Sequence, residues 1–549
     1  MLQRVGPEIR KQRESCSAAE GTKDFPRVDE SGAAVRIGDA SFPAPFLSQL
    51  EFNAPVHGAW NIVHVGMLVP DCHQIYVCAD NCMRGVVLTA AEMGASERFS
   101  CVLLEEEDLY EGSLENVTIE GVADAIRRLP YRPRAVMVFL VCLHHFVGTD
   151  VAYVYRTLEE QFPEIDFMRC WMDPVMRKSG LAPEQKLKYS MFRPIRPLPV
   201  VRNMVCDIGD NQPLDTQSDL SRVIEEEGFS LFQLHDCETY DDYLRMGAAS
   251  LFITRSPAGI FGATQLANRL GRPFLYLPPS CGGEEIRAEL EKLRAALQEC
   301  RRTETEDPAA VQKPGAVAEQ KSDAAAERKT ATAYALKSTA AAVQKPGEAA
   351  ERKTDTAYAL KSTAAAGLKP GEAAGQETGA VENAEKSAAA ADAGKEEAGK
   401  ALARALALIG DTEVTLDHFA TPRPLSLARL LLESGFHVTR VYLDAVTPEE
   451  KADFEWLQGH FPDLLLNATV HPKMRVLHGK ENAGHMLAIG PKAAWFGGTA
   501  HFVNLVECGG LWGFTGIAKL AALMEDAYLH EKDTRELVPR KGFGCACVL

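Results

Sequence analysis

Apolar residues along this chain come in short unbroken runs, separated by stretches with helical spacing. In AVMVFLVCLHHFVGTDVAYVYRTLEEQF, Ala135–Val141 predicts a buried strand. Thr149 or Asp150 then caps a helix whose apolar positions Val151, Val154, Tyr155 and Leu158 share one face. SLFITRSPAGIFGATQLANRLGRPFLYLP, from Ser250, reads as strand, turn, helix, strand. ALALIGDTEVTLDHFATPRPLSLARLLLESGFHVTRVYLD, from Ala405, repeats the scheme, and HMLAIGP and AHFVNLVE add two buried strands. NIVHVGMLV, just before Cys72, also reads as a strand. Strands alternating with helices predict an α/β fold with parallel sheets. The expectation is three Rossmann-like units around a central crevice, over 46–200, 201–299 and 401–540.

Residues 300–400 break this pattern. They are rich in Ala, Lys, Glu and Thr, and their only leucines are Leu336, Leu360 and Leu368. ERKTATAYALKSTAAAVQKPGEAA from Glu327 recurs from Glu351, a period of 24. Two copies so poor in apolar residues cannot bury a core, which predicts a long disordered linker or insertion. An N-terminal extension, 1–45, and a Cys-containing tail, 541–549, complete the expected layout.

Composition narrows the function. Of 549 residues, 46% are hydrophobic, the share of an ordinary globular protein, and the formal net charge is −17. That charge argues against nucleic acid as a partner. The longest apolar run, residues 135–143, is far short of the roughly 20 residues that span a bilayer. The N-terminus, MLQRVGPEIRKQRE, has no apolar run of the secretory kind. The expectation is a cytoplasmic protein without membrane contact. Fourteen cysteines in such a chain suit metal or redox use of some and plain burial of the rest.

Three of them gather in HVGMLVPDCHQIYVCADNCMRG as Cys72, Cys78 and Cys82, with His64 and His73 nearby. The C-x5-C-x3-C spacing is not the paired C-x2-C of structural zinc or of a thioredoxin-like site, nor the C-x2-C-x2-C run of bacterial ferredoxins. Cys142 ends the strand at Ala135–Val141 and precedes a helix, and Cys72 is expected at the end of another strand. Ligands of open α/β sheets bind beyond the carboxyl ends of strands. Cys72, Cys142, Cys78 and Cys82 are therefore the expected ligands of an iron–sulfur cluster, a [4Fe–4S] cubane first, or of tetrahedral zinc. His64, His73, His144 and His145 lie beside these thiols in sequence and are candidate proton donors or ligands.

The stretch NAPVHGAWNIVHVGMLVPDC resembles the segment of nitrogenase component 1 subunits in which a histidine lies eight positions before a cluster cysteine, here His64 and Cys72. LVCLHHFVGTDV, with Cys142, Gly148 and Asp150, is similar to the family's second cysteine segment, and residues 105–129 match the layout between them. The three α/β units match the family's three Rossmann-like domains. The resemblance implies an iron–sulfur redox subunit. It implies two kinds of partner: an iron-protein-like ATPase, and a second component 1-like subunit or another copy of this chain. The chain itself carries no G-x-x-x-x-G-K-[ST] loop.

The chain departs from the family at three places. The upstream cluster cysteine has no counterpart near Phe46, and Cys78 and Cys82 are additional. The cysteine that holds the iron–molybdenum cofactor would fall near Arg255 in FITRSPAGIFG, where there is none. Its histidine partner would fall in HFVNLVECGGLWG, where Cys508 stands and no histidine follows His501 until His530. No iron–molybdenum cofactor is expected. The expected function is reduction of an unsaturated substrate by a nitrogenase-like reductase. The alternatives are a non-catalytic scaffold for metal-cofactor assembly and a zinc-stabilised α/β binding protein.

Overall fold

The computed structural model describes residues 33–46, 59–110, 112, 114–172, 181–306, 377–475 and 486–532. The sequence repeats, the tail 541–549 and most of the N-terminal extension lie outside the described residues. None of the described helices is long and apolar enough to cross a membrane.

The fold is α/β, with three sheets built almost wholly from parallel strands. A short first strand, β1 (Ala34–Arg36), pairs antiparallel at the edge of the third sheet. The first sheet holds β2 (Cys72–Cys78), β3 (Phe99–Leu103), β4 (Ala135–Val141) and β5 (Asp166–Met172) in the order β3-β2-β4-β5. Every residue of β2 and β4 is buried, as a parallel strand covered on both faces requires. The second sheet holds β6 (Met204–Asp207), β7 (Ser230–Gln233), β8 (Leu251–Thr254) and β9 (Phe274–Tyr276) in the order β7-β6-β8-β9. The third holds β10 (Glu413–Asp417), β11 (Val438–Tyr442), β12 (Leu465–Asn467), β13 (Met486–Ile489) and β14 (Phe502–Val503), ordered β1-β12-β11-β10-β13-β14.

The middle sheet joins the other two. Along β6 and β8 side chains alternate between faces. Val205, Leu251 and Ile253 enter the core that contains Val414 and Leu416 of the third sheet. Cys206 and Phe252 enter the core that contains Val77 and Phe139 of the first. One sheet thus closes two cores.

Each sheet has a point where successive connections leave in opposite directions: between β2 and β4, between β6 and β8, and between β10 and β13. Such points open a crevice at the carboxyl ends of the two strands. At the first lie Cys78 and Cys142, at the second Asp207 and Arg255, and at the third Asp417 and Gly490.

Two expectations are corrected. NIVHVGMLV is not a strand: Ile62–Met67 is a helix, capped by the Asn61 side chain, which accepts the Val63 N–H at 3.0 Å. A short apolar run does not distinguish strand from buried helix, and the Asn cap and the small Gly66 decide it. A Cβ on Gly66 would lie 2.6 Å from the Gln74 side chain, so the helix packs directly on β2. Cys72 therefore opens β2 and does not follow a strand. The second correction concerns only the C-terminal end of 300–400. A helix, Glu377–Ile409, begins well inside that segment, and Ala391, Ala398, Ala401, Leu402 and Ala405 are buried in the core with the helix Gly513–Leu529. Alanines and Gly394, whose Cβ would lie 3.3 Å from Phe514, allow two helices to approach where leucines would hold them apart. The cap expected at Thr149 or Asp150 is Asp150, which accepts the Tyr153 N–H at 2.9 Å.

The second and third sheets also meet through a tight loop. Gly510 has φ 82°, and a Cβ there would sit 2.1 Å from the Pro213 carbonyl. Gly510→Ala is expected to destabilise the chain by about 2–4 kcal/mol, through strain and through forcing these segments apart. Gly459→Ala, on an exposed helix face with open space around the added Cβ, is expected to stabilise it by about 0.5–1 kcal/mol. Denaturant unfolding of the two variants measures both changes.

Candidate functional site

The first sheet's carboxyl edge brings together three of the four expected thiols. Cys78 closes β2, Cys142 follows β4 as the first residue of the helix Cys142–Phe146, and Cys82 lies in the first turn of the helix Asp80–Glu92. Cys78 is buried, Cys142 half-buried and Cys82 exposed. Their charges sense one another. Burial pushes the Cys78 thiol up to about 12, and Cys101, Cys82 and Asp80 add to the rise. Burial raises Cys82 as well, with Cys142 adding to it. Crowded thiols that resist ionisation alone are what a bound cation reverses, because ligation supplies the missing positive charge.

Cys72 lies elsewhere. It is six residues from Cys78 along an extended strand, about 20 Å at the usual strand rise. Burial pushes its thiol up to about 12, and its Sγ points to the His73 carbonyl at 3.8 Å. Its own carbonyl accepts from Arg98, which also binds the carbonyls of Met67 and Val69. This is a packed strand start, and the four thiols are not gathered within one cubane's reach. Among the described residues, no three or more His, Cys, Asp or Glu side chains stand as a preformed metal site.

The four histidines have structural surroundings. The ring nitrogens of His73 bond Tyr131 Oη at 2.7 Å and Ser100 Oγ at 2.8 Å, and burial holds the ring down at about 4. His144 meets the Val141 backbone and Thr118 Oγ1, and burial lowers it to about 4. His145 stacks on Trp171 at 4.0 Å. His64 packs edge-on to Trp60 at 5.3 Å, and burial lowers it.

A second concentration of chemistry lies where all three sheets meet, and pattern reading found only its edges, Arg255 and Cys508. At the end of β8, Thr254 Oγ1 and the Arg255 N–H both donate to Asp210 Oδ2, at 3.0 and 2.8 Å. The Arg255 guanidinium donates to Asp207 Oδ2 at 3.0 Å and to the Gln212 carbonyl at 2.8 Å. All three charged side chains are buried. Burial pushes Asp207 well above the usual carboxylate range against the pull of Arg255. Burial also works on Asp210, but Arg255 and the hydrogen bonds hold it below that range. One guanidinium thus serves two carboxyls that their surroundings push in opposite directions.

Next to this group, the helix Pro183–Phe192 contributes Glu184 and Lys188, the turn after β6 contributes Asn211, and the loop after β14 contributes Glu507. Lys188 Nζ lies 3.2 Å from Glu184 Oε1, donates to Asn211 Oδ1 at 2.7 Å and also reaches the Gly209 carbonyl. Asn211 Nδ2 donates to Glu184 Oε1 at 2.6 Å and to Glu507 Oε2 at 3.0 Å. The Ala59 N–H donates to Glu507 Oε1 at 2.8 Å. Glu507 and Cys508 hold φ of 48° and 62°, a left-handed pair without glycine, which the surrounding contacts must enforce. Cys508 and Cys281 face a small apolar cavity of about 50 Å³ that Trp512 and Leu505 also line.

Removing one partner of a buried ion group leaves the others unpaired. Arg255→Met is expected to cost about 3–5 kcal/mol, because Asp207 and Asp210 both lose their buried ion partner. Asp207→Asn, which keeps an acceptor for Arg255 and removes a charge that burial disfavours, is expected to cost less, about 1 kcal/mol. Urea unfolding near neutral pH compares them.

No protein-family model matches the chain, and no curated protein matches it. Among solved structures, nitrogenase Cp1 at pH 6.5 aligns with a TM-score of 0.50 and 12% identity, covering 89% of this chain and 93% of that one. Nitrogenase Cp1 at pH 5 aligns with a TM-score of 0.47 and 13% identity, covering 91% and 94%. At this identity the likeness concerns the fold: the chain has a nitrogenase-like arrangement of α/β units, with thiols at the strand ends of its first sheet and buried charges where its sheets meet.

Proposed function

We propose that this chain is the iron–sulfur redox subunit of a nitrogenase-like reductase. One observation carries the reading: Cys78 and Cys142 flank the point between β2 and β4 where connections diverge, with Cys82 on the helix that follows β2. Rigid parallel strands fix two of these thiols, which lowers the entropy lost when a metal is bound. The chemistry of the set fits an iron–sulfur cluster, since soft thiolates suit it and the raised thiols of Cys78 and Cys82 gain from its positive charge. Cys72 is left out of the ligand set, and three thiols need a further ligand.

That ligand is assigned to a neighbouring subunit, either a second component 1-like chain or another copy of this one. The edge that carries the thiols also exposes large apolar side chains. Leu103 ends β3, Tyr110 follows it with 84% of its surface open, and Phe146 and Val147 follow β4 with 66% and 50% open. Exposed apolar groups around an incomplete site support a subunit contact. When bound, an iron–sulfur cluster supplies a one-electron store. Cys78, Cys82 and Cys142 would hold it, with the buried Cys78 closing one side to water, and the sequence carries no ATP loop, so an iron-protein-like ATPase is the proposed electron donor. Arg255, standing where the resemblance sets the cofactor cysteine, supports a chain without the iron–molybdenum cofactor.

Anaerobic reconstitution with iron and sulfide tests the ligand set. Cys78→Ala, Cys82→Ala and Cys142→Ala are each expected to abolish bound iron and visible absorbance, and Cys72→Ala to retain both. A colourless protein containing zinc and no iron, or a cluster lost only with Cys72→Ala, overturns the reading.

A further inference from the structure

Two carboxyl groups share one ammonium at the junction. Asn211 Nδ2 bridges Glu184 Oε1 and Glu507 Oε2 at 2.6 and 3.0 Å, and Lys188 Nζ lies 3.2 Å from Glu184 Oε1. Glu184 is buried and Glu507 half-buried, and two like-charged carboxyls so close, against one ammonium, favour a proton on one of them. The open valences agree. Glu184 Oε2, Gln185 Nε2, Asp207 Oδ1 and Arg255 Nε are buried and without a hydrogen-bond partner among the described residues, on side chains no more than 4% exposed. Buried polar atoms rarely stay unpaired, so four of them at one junction point to a polar molecule or water held there.

We propose that Glu184 and Glu507 are an acid–base site, a carboxyl pair joined through the Asn211 amide that holds one proton and gives it to a small unsaturated molecule being reduced in the junction. In that step a carboxyl O–H bond breaks and a bond from the proton to the reduced atom forms. The electrons come from the iron-protein-like donor of the proposed function, and solvent water restores the proton. The use of the pair rests on that reading; its existence does not.

The groups that face Glu507 are accounted for. Glu184 and Lys188 come from the helix Pro183–Phe192, Asn211 from the turn after β6, and Ala59 gives only its N–H, while Asp210 and His235 stand around Lys188 behind them. Burial and then Glu184 push Glu507 up to about 7, against Lys188 and the Ala59 and Asn211 donors. A raised carboxyl is protonated below its folded value and ionised above it, so Glu507 loses its proton as pH rises through neutrality.

Infrared difference spectroscopy on the full metal-free chain reads this proton directly. The wild-type minus Glu507→Gln spectrum is expected to contain a protonated-carboxyl band at about pH 6 that is gone by about pH 9. Glu184→Gln removes the competing charge and is expected to move the midpoint down by about one pH unit or more. Absence of a titrating band, or an unmoved midpoint in Glu184→Gln, overturns the proposal. If Glu184→Gln does not fold, Lys188→Met decides the same question: the midpoint is expected to rise by about one pH unit or more, and an unchanged midpoint overturns the pair. A chain that binds no iron leaves this readout intact, so the two readings fail separately.

Discussion

The second sheet has no face to spare. Its short strands send Val205, Leu251 and Ile253 to one core and Cys206 and Phe252 to the other, so the first and third parts of the chain are packed onto opposite sides of the same four strands. That shared layer fixes where the strand ends point. The carboxyl ends of β6 and β8 have nowhere to open except between the neighbours, and this is why Asp207, Asp210 and Arg255 lie inside the protein. Charged groups there cannot be solvated, and each must find its partner among residues of the other units.

The consequence is a junction held by polar contacts of unequal kind. Arg255 holds Asp210 low while burial drives Asp207 up. Lys188 and Asn211 tie a helix at the end of the first unit to the turn after β6, and through Glu507 to the loop after β14. Well-packed apolar residues hold two units together more cheaply than buried ions do, so a polar junction of this size favours chemistry over adhesion. The thiols of the first sheet sit at a different kind of place, an edge ringed by open apolar side chains and short of a ligand.

The α/β class and the strands Ala135–Val141 and Leu251–Thr254 were legible because unbroken apolar runs bounded by turns have few other readings. A cap at Thr149 or Asp150 was legible for the same local reason, and the structure takes Asp150. NIVHVGMLV was not, since its composition suits strand and buried helix equally and the Asn61 cap settles it. That misreading carried Cys72 to the wrong end of β2. The helix Glu377–Ile409 was hidden by its composition, because alanine looks like linker and packs like core. Cys78, Cys82 and Cys142 stood out as candidates for one sheet edge, and the strand order β3-β2-β4-β5 sets Cys78 and Cys142 on neighbouring strand ends. Glu184, Lys188 and Asn211 left no signal: each is an ordinary polar residue in a helix or turn, and only the packing of three units makes it buried. Glu507 stood beside Cys508 in a run, Glu507–Gly510, whose glycines were the one hint of an unusual backbone.

Where the metal lies is the most direct question to ask of this protein. Anomalous diffraction at the iron edge, on crystals of anaerobically purified protein, answers it. An iron peak at the carboxyl edge of the first sheet, within bonding distance of Cys78, Cys82 and Cys142, is the expected result. A peak beside Cys72 at the start of β2, or a zinc signal with no iron, would contradict the ligand set and the redox role built on it.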